Sequence, residues 1–144
     1  ATTEIYTLSQ HDALPIWAGK VRMKETMPVG VAPGRIRPDV AELCANVAAQ
    51  LQEGAWSVEE IAARFHHRLV WIHPFTNGNG RFCRVIADVI LVQRGMELFG
   101  WGQNLGRKGD ERERYIAALQ AADKKDYRPL FQLLGVPRQN VGKT

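Results

Sequence analysis

The chain has 144 residues, 45% of them hydrophobic, which fits one globular domain with a single core. Its 19 basic and 15 acidic side chains give a net charge of +4 without forming a basic run, so nucleic acid is not an expected partner. No apolar stretch approaches the ~20 residues of a membrane span and no signal peptide is recognisable, so we expect a cytoplasmic protein that contacts no membrane.

The first sixteen residues, ATTEIYTLSQHDALPI, show neither helical nor strand periodicity. Within them, YTLSQHDALPI resembles the conceptual translation of a sequencing-library adapter, with Gln10 in place of the expected leucine. We therefore interpret residues 1–16 as a non-native or disordered segment, so that the native amino terminus would be missing; the alternative is an irregular native arm. The predicted domain is residues 17–135, and residues 136–144 are a predicted carboxyl-terminal tail.

Residues 19–38, GKVRMKETMPVGVAPGRIRP, combine turn-forming glycine and proline with a short alternation of apolar side chains. The alternation includes Val21 and Met23 and continues through residues 26–31. This pattern predicts a small β-hairpin, or flap, instead of a helix.

The sequence from Asp39 onward predicts helices. Asp39 followed by Glu42 is a capping-box pattern, and the helix that it starts ends at Gly54. Ser57 with Glu60 makes a second capping box. The helix after it carries a stripe of apolar side chains at helical spacing, formed by Val58, Ile61, Phe65, Leu69 and Ile72.

Three further helices follow the second one. Pro74 ends the second helix just after His73. The next segment, RFCRVIADVILVQRG, is apolar nearly all round, which predicts a helix at the centre of the domain that ends at Gly95. Asp110 starts a fourth helix and Asp126 a short fifth one. The predicted fold class is therefore all-α with one flap.

The stretch WIHPFTNGNGRFCR joins the second and third predicted helices. Gly78 and Gly80 lack side chains, so an anion can approach the free N–H groups at the start of the next helix. Arg81 and Arg84 lie on one face of its first turn and can add charged donors, while His73 can accept a proton near neutral pH. Each element alone is common in ordinary turns. Their order predicts a di- or triphosphate site beside a general base.

Twelve residues of this stretch, HPFTNGNGRFCR, resemble the signature of Fic (Fido) domains, H-P-F-x-[D/E]-G-N-G-R-x-x-R, at eleven positions. The resemblance extends roughly from Trp17 to Leu134. It is strongest to a bacterial subgroup called mobile mystery protein B, where WAGK and runs similar to EIAARFHHRLV also occur. The resemblance implies a Fic-type helical bundle with the small hairpin flap.

Fic enzymes usually transfer AMP from ATP to a hydroxyl side chain of a target protein, so the resemblance implies a protein adenylyltransferase that uses ATP. The catalytic residues would be His73, which deprotonates the incoming Ser, Thr or Tyr hydroxyl, and Arg81, which stabilises the leaving pyrophosphate. The resemblance implies that the nucleotide is bound by Gly78, Asn79, Gly80, Arg81, Arg84 and Tyr115. It likewise implies that the target segment pairs with a flap of Thr26, Met27, Pro28, Val29, Gly30 and Val31.

One position departs from the signature. The family's acidic residue, which holds Mg²⁺ on the phosphates, is Asn77 here. An amide oxygen can bind Mg²⁺ but lacks the negative charge that makes carboxylates the usual protein ligands. We therefore predict a Mg²⁺ site in which Asn77 takes part and the phosphate oxygens contribute most.

Two alternatives for function and two for regulation stay open. The chain could be a nucleotide-binding, toxin-like interaction module with weak or no transferase activity, or it could transfer another phosphate-linked group. Fic proteins are often inhibited by a helix with the pattern [S/T]-x-x-x-E-[G/N], and the nearest run here, residues 49–54, lacks the Ser or Thr. The inhibitory helix would then come from a separate antitoxin-like protein or from a missing amino terminus.

Overall fold

The computed structural model describes residues 19–26, 29–102, 105 and 108–137, and most of these belong to α-helices. No strand occurs in these ranges, so the predicted all-α class is confirmed. The helices are α1 Pro33–Glu53, α2 Val58–Ile72, α3 Asn79–Gln93, α4 Asp110–Asp123 and α5 Arg128–Leu134.

The start of α2 is the one the sequence predicts. The Ser57 hydroxyl accepts a hydrogen bond from the Glu60 backbone N–H at 3.1 Å, which satisfies a donor that has no partner within the helix. At its other end the helix stops at Ile72, and Pro74 cannot continue it. The capping signals therefore place both ends of the helix that leads into the glycine-rich turn.

The start of α1 differs from the prediction. The helix begins at Pro33, whose fixed φ suits the first helical position, and not at the capping box expected at Asp39. Asp39 lies inside the helix, buried, with its carboxylate 2.6 Å from an Arg35 nitrogen one turn earlier. Asp39 thus pairs with Arg35 inside the helix instead of capping it, and the helix runs through Pro38.

The central element is α2, which packs against α1, α3 and α5. One of its faces joins α1 and α3 in a core that contains Ile61, Phe65 and Leu69. Its opposite side, with Ala62 and Ala63, joins α4 and α5 in a second core. Full burial of a large apolar side chain stabilises the fold by about 1.5–3 kcal/mol, so these contacts fix the position of α2 firmly.

The prediction that α3 lies at the centre of the domain is wrong for one of its faces. Phe82, Val85, Val89 and Val92 recur at helical spacing, and all are exposed, Val92 by 60%. The opposite face of α3, with Cys83 and Ala87, packs on α2. Apolar residues all round a helix predict burial, but no described element covers this face.

The predicted hairpin is not seen among the described residues. Residues 19–26 and 29–32 form an irregular segment that lies along the turn between α2 and α3. Val31 donates its N–H to the Ile72 carbonyl oxygen at 3.3 Å, so the hydrogen bonds run to the helical turn instead of across a hairpin. Of the six predicted flap residues, Met27 and Pro28 lie outside the described ranges.

Within the described ranges, no helix combines the length and the apolar character needed to cross a bilayer.

Candidate functional site

His73 forms the carboxyl-terminal cap of α2. Its N–H donates to the Leu69 carbonyl oxygen at 3.1 Å, and its backbone adopts the left-handed conformation with φ of 54°. Glycine is the usual residue at this position because a side chain there is strained. The imidazole on this strained cap is half-buried and lines the edge of a cavity.

The turn after His73 is held closed by a side chain. Asn79 accepts a hydrogen bond from the Phe75 N–H at 2.8 Å and donates one to the Phe75 carbonyl oxygen at 2.7 Å. Its side chain is thereby used within the turn, and the residue is 4% exposed. Asn79 was predicted to contact phosphate. Because its amide side chain is used within the turn, only its backbone N–H would be available for such a contact.

Two glycines make room at the start of α3. Gly78 has φ of 77°, which favours glycine. A Cβ atom on Gly80 would lie 3.2 Å from a guanidinium nitrogen of Arg84, tighter than ordinary van der Waals contact. The absent side chain therefore lets Arg84 lie against the first turn of α3, where free backbone N–H groups favour an anion.

A cavity of about 560 Å³ opens beside this turn, within the size range of small-molecule sites. It brings together every predicted catalytic, phosphate-binding and metal-binding residue, but it does not include the predicted flap residues that the structure describes. Its lining residues are His73, Thr76, Asn77, Gly78, Asn79, Gly80, Arg81, Arg84, Leu105, Arg112, Tyr115 and Ile116.

Of the described flap residues, Thr26 lines a neighbouring cavity of about 350 Å³. Thr76, which also borders the main cavity, is part of the same lining. The segment before the flap supplies most of the remaining wall, including Lys20, Met23 and Lys24. Thr76 therefore borders both cavities.

Tyr115 forms part of the main cavity wall, but its hydroxyl is directed inward. The hydroxyl oxygen lies 2.8 Å from Nε2 of His66, and the residue is 7% exposed. Burial raises the pKa of Tyr115 to about 12, and the positive charge of the nearby Arg84 guanidinium is the main effect that opposes that rise. Tyr115 therefore connects the buried His66 with the surroundings of Arg84.

His66 is fully buried under this contact, and burial lowers its pKa to about 3. Its ring packs against the Trp101 ring with centroids 4.5 Å apart. Nε2 faces Tyr115, while Nδ1 lies near the Cys83 backbone in a geometry too poor for a full hydrogen bond. A neutral imidazole is thus part of the packed support of the cavity.

The His73 imidazole has a lowered pKa. Burial is the larger cause, the positive charge of Arg22 is the second, and a hydrogen bond to the Val70 backbone opposes them. With the pKa below its ordinary value of 6.5, the ring is neutral at neutral pH, and a neutral imidazole has one ring nitrogen that can accept a proton. His73 is therefore in the form that a general base requires at neutral pH.

Apart from Thr76, which lies within the turn itself, the sequence did not indicate three residues that the structure places at the site. Arg112 lines the cavity from α4, where the alternating charges of DERER resemble a solvated surface. Leu105 and Ile116 add apolar surface beside it. Nothing in the local sequence marks these residues, because they reach the cavity through the packing of α4 and of the segment before it.

The side chains around Asn77 do not by themselves make a Mg²⁺ site. Among the described residues that line the cavity, none carries a carboxylate. The Asn77 amide oxygen accepts a hydrogen bond from the Gly78 N–H at 2.6 Å. Mg²⁺ bound by proteins usually has one or two carboxylate ligands beside the phosphate oxygens, so this donor set does not fit a metal held by the protein alone.

Comparison with known protein families decides the family. The model of the Fic/DOC family matches residues 5–91, which is more than half of the chain. The chain belongs to the Fic/DOC family. The matched part of this Fic domain includes α1, α2 and the turn with His73, together with most of α3.

Curated relatives of the Fic domain carry names that state an activity. "Protein adenylyltransferase fic-1" of Caenorhabditis briggsae is 31% identical over 125 residues, which are 84% of this chain and 23% of that protein. "Protein adenylyltransferase Fic" of Nematostella vectensis is 35% identical over 75 residues, 52% of this chain and 16% of that protein. The chain thus spans about a quarter of the length of these relatives, or less.

Two solved structures share the fold. A Fic domain containing signaling protein from Bacteroides thetaiotaomicron matches with a TM-score of 0.60 and 21% identity, over 73% of this chain and 42% of that one. The type IV secretion system effector protein BepA matches with a TM-score of 0.58 and 21% identity, over 87% of this chain and 47% of that one. The arrangement of helices around the Fic turn is therefore shared with larger proteins.

Proposed function

We propose that this Fic domain transfers AMP from ATP to a Ser, Thr or Tyr hydroxyl of a target protein. The observation that carries the proposal is the placement of His73, a neutral imidazole, at the edge of the cavity that also holds Arg81 and Arg84. A proton acceptor beside a phosphate site is what hydroxyl attack on phosphorus requires. The names of the curated relatives support the same reaction.

In the proposed reaction, the target hydroxyl gives its proton to the free ring nitrogen of His73. Its oxygen forms a bond to the α-phosphorus as the bond from that phosphorus to the β-phosphate oxygen breaks. AMP then remains on the target, and pyrophosphate leaves with the electron pair of the broken bond. General-base catalysis of this kind contributes about 10²–10⁴ to the rate.

The phosphates would lie along the start of α3. The free N–H groups after Gly78 would bind phosphate oxygens, and the Arg81 and Arg84 guanidinium groups would neutralise the β- and γ-phosphates. Arg112 on the opposite wall adds a third positive charge. These groups would stabilise the charge that develops on pyrophosphate, which is the main task of a protein in phosphoryl transfer.

The nucleobase would occupy the α4 side of the cavity. Leu105, Tyr115 and Ile116 offer apolar and aromatic surface there, which suits a flat heterocyclic ring. No described group in this wall selects adenine over the other bases. The experiment therefore also includes donors of other phosphate-linked groups.

We propose that Mg²⁺, when it accompanies ATP, is held mainly by phosphate oxygens, with Asn77 as a neutral ligand after its hydrogen bond to Gly78 is released. The absence of a carboxylate from the described cavity lining also favours the second candidate function, a nucleotide-binding module with weak or no transfer. A cavity without a carboxylate binds a metal–nucleotide complex less firmly, so the phosphates would be oriented less strictly.

A target protein and an inhibitor are the proposed partners. The target segment would reach His73 from the side of Thr26 and Thr76, the second of which borders both cavities. A separate antitoxin-like protein would present a glutamate to Arg84, the second arginine of the signature. Glu53 at the end of α1 is exposed and is not among the residues that line the cavity.

The test is transfer of label from α-³²P-ATP to protein in a host lysate, with the His73→Ala variant in parallel. We expect labelled target protein with the wild type and a loss of about 10²–10⁴ in rate with His73→Ala. Nucleotide binding by the variant, measured calorimetrically, should persist, because the phosphate-binding groups remain.

Labelled UTP, GTP and CDP-choline are run in the same lysate. If one of these compounds labels protein and ATP does not, the transferred group is not AMP but the one that this compound carries. Nucleotide binding without any His73-dependent label would favour the binding module over the transferase.

A further inference from the structure

Arg22 is a buried arginine whose guanidinium is surrounded by backbone carbonyl groups. The residue is 3% exposed. Its Nε donates to the His73 carbonyl oxygen at 2.6 Å, and a terminal nitrogen donates to that of Ile72 at 3.2 Å. The guanidinium also donates to the carbonyl oxygens of Lys24, at 2.8 Å, and Val31. One side chain therefore joins the end of α2 to the irregular segment that precedes α1.

Backbone hydrogen bonds reinforce the same junction. The Arg22 N–H donates to the Pro74 carbonyl oxygen at 3.0 Å, and the Val31 N–H donates to that of Ile72 at 3.3 Å. Carbonyl groups at the end of a helix have no partner within the helix, and a positive charge there is favoured by the helix dipole. Arg22 and Val31 thus act as an external cap for the last turn of α2.

The cap lies where the backbone is strained. His73 has φ of 54°, and a non-glycine residue in this conformation persists only when its surroundings hold it. Its carbonyl oxygen and those of both sequence neighbours accept hydrogen bonds from Arg22. The carbonyl groups cannot rotate without breaking these bonds, so the direction of the His73 side chain is fixed from behind.

We propose that Arg22 is a positioning residue for the reaction at His73. Arg22 locks the strained cap of α2 and connects His73, the proposed base, to the segment that leads to the flap. This inference rests on the proposed function, since it assigns Arg22 to the same proton transfer. A purely structural role would predict lost stability without a change in the imidazole itself.

Arg22 also acts on His73 through its charge. In the described part of the chain, every hydrogen bond of its guanidinium goes to a carbonyl oxygen, so no carboxylate neutralises it there. Its charge lowers the pKa of His73, after the larger effect of burial. Removing the charge should raise that pKa, although burial still keeps it below the ordinary value. The other charged or titratable groups that share the cavity with His73 are Arg81, Arg84, Arg112 and Tyr115.

Two substitutions of Arg22 separate charge from geometry. Arg22→Gln removes the charge and most of the donors, whereas Arg22→Lys keeps the charge but cannot reproduce a fork that reaches four carbonyl groups. Gly30→Ala provides a third route, because a Cβ atom there would lie 2.5 Å from the Thr26 hydroxyl and 2.7 Å from a terminal Arg22 nitrogen, on a backbone with φ of 119°, and so disturbs the segment that surrounds the guanidinium. Arg35→Gln is the matched control, since it removes one exposed positive charge that pairs with Asp39 in α1.

The experiment measures the pKa of the His73 imidazole directly, by NMR titration of protein labelled with ¹³C and ¹⁵N in histidine. We expect a higher His73 pKa in Arg22→Gln, a value near that of the wild type in Arg22→Lys, and no change in Arg35→Gln. In transfer assays the acidic limb of the kcat/KM profile should move to higher pH in Arg22→Gln. All Arg22 and Gly30 variants should lose kcat by at least tenfold, with Arg22→Lys the least affected.

The titration does not depend on transferase activity, so the two proposals fail separately. If the wild type transfers nothing, the proposed function fails, while the titration still tests the action of Arg22 on His73. Circular dichroism establishes which variants are folded. If Arg22→Gln does not fold, Arg22→Lys and Gly30→Ala decide the matter through kcat. Folded variants with wild-type kcat and an unchanged His73 pKa would overturn the inference.

Discussion

Nε2 of His66 lies 2.8 Å from the Tyr115 hydroxyl oxygen, so a fully buried imidazole supports the wall of the main cavity. The two residues are 49 positions apart and belong to α2 and α4. Because the Arg84 guanidinium is close enough to Tyr115 for its charge to oppose the rise in the Tyr115 pKa, the contact lies beside the start of α3. The packing of α2 against α4 and the surroundings of Arg84 are therefore linked.

The protonation of His66 makes stability depend on pH. Its folded pKa of about 3 lies below the ordinary 6.5, so below pH 6.5 the unfolded chain binds a proton that the folded chain resists. Stability should therefore fall as the pH decreases from 6.5 toward 3, by roughly 2–3 kcal/mol at pH 4.5 from this residue. Urea unfolding at pH 7 and pH 4.5 measures the change. His66→Gln, which cannot titrate, should lose less stability between pH 7 and pH 4.5. An equal loss in both proteins would show that His66 is not the source of the pH dependence.

Removing the Tyr115 hydroxyl should affect both stability and binding. In Tyr115→Phe, His66 Nε2 loses its partner, which costs about 1–3 kcal/mol, and the cavity wall beside Arg84 loses its polar contact with the buried His66. We expect weaker ATP binding by calorimetry. Tyr127→Phe is the control, because its hydroxyl bonds His67 Nδ1 at 3.2 Å and it is not among the residues that line the main cavity. Equal ATP affinity in the two variants would exclude the supporting role of Tyr115.

A methyl group at Gly80 should displace Arg84. Gly80 lies in α3, and its added Cβ atom would lie 3.2 Å from an Arg84 nitrogen, so Gly80→Ala should weaken ATP binding several-fold while the helix is retained. Gly34→Ala is a matched change in α1, where the added atom meets nothing within 4 Å. It should stabilise the fold by about 0.5–1 kcal/mol without altering ATP affinity. Comparable ATP affinity in both variants would show that Gly80 does not make room for Arg84.

Asn77→Asp should raise the affinity for Mg²⁺. The substitution adds a carboxylate to a cavity whose described lining has none, and Mg²⁺ favours such a ligand beside phosphate oxygens. Calorimetric titration of ATP at a series of Mg²⁺ concentrations measures the effect in both proteins. Identical Mg²⁺ dependence in the two would remove Asn77 from the metal's surroundings.

The sequence predicts the site well where the chemistry is local. Ser57, Pro74 and the glycines of the turn act on residues within a few positions, so their pattern places the end of α2 beside the start of α3. Arg22 reaches His73 across 51 positions, and its environment depends on the tertiary fold. The exposed face of α3 was mistaken for core for the same reason, since an apolar pattern does not say which element covers it.

The sharing of α2 between both cores has a consequence for how far the sequence can vary. The 15 residues of α2 contribute to both cores, and the helix ends directly before His73, the residue that would take the proton. A substitution that tilts this helix in either core, even far from the cavity, therefore shifts the imidazole. We expect selection for activity to tolerate less variation along the whole length of α2 than along α1, whose exposed residues can change freely.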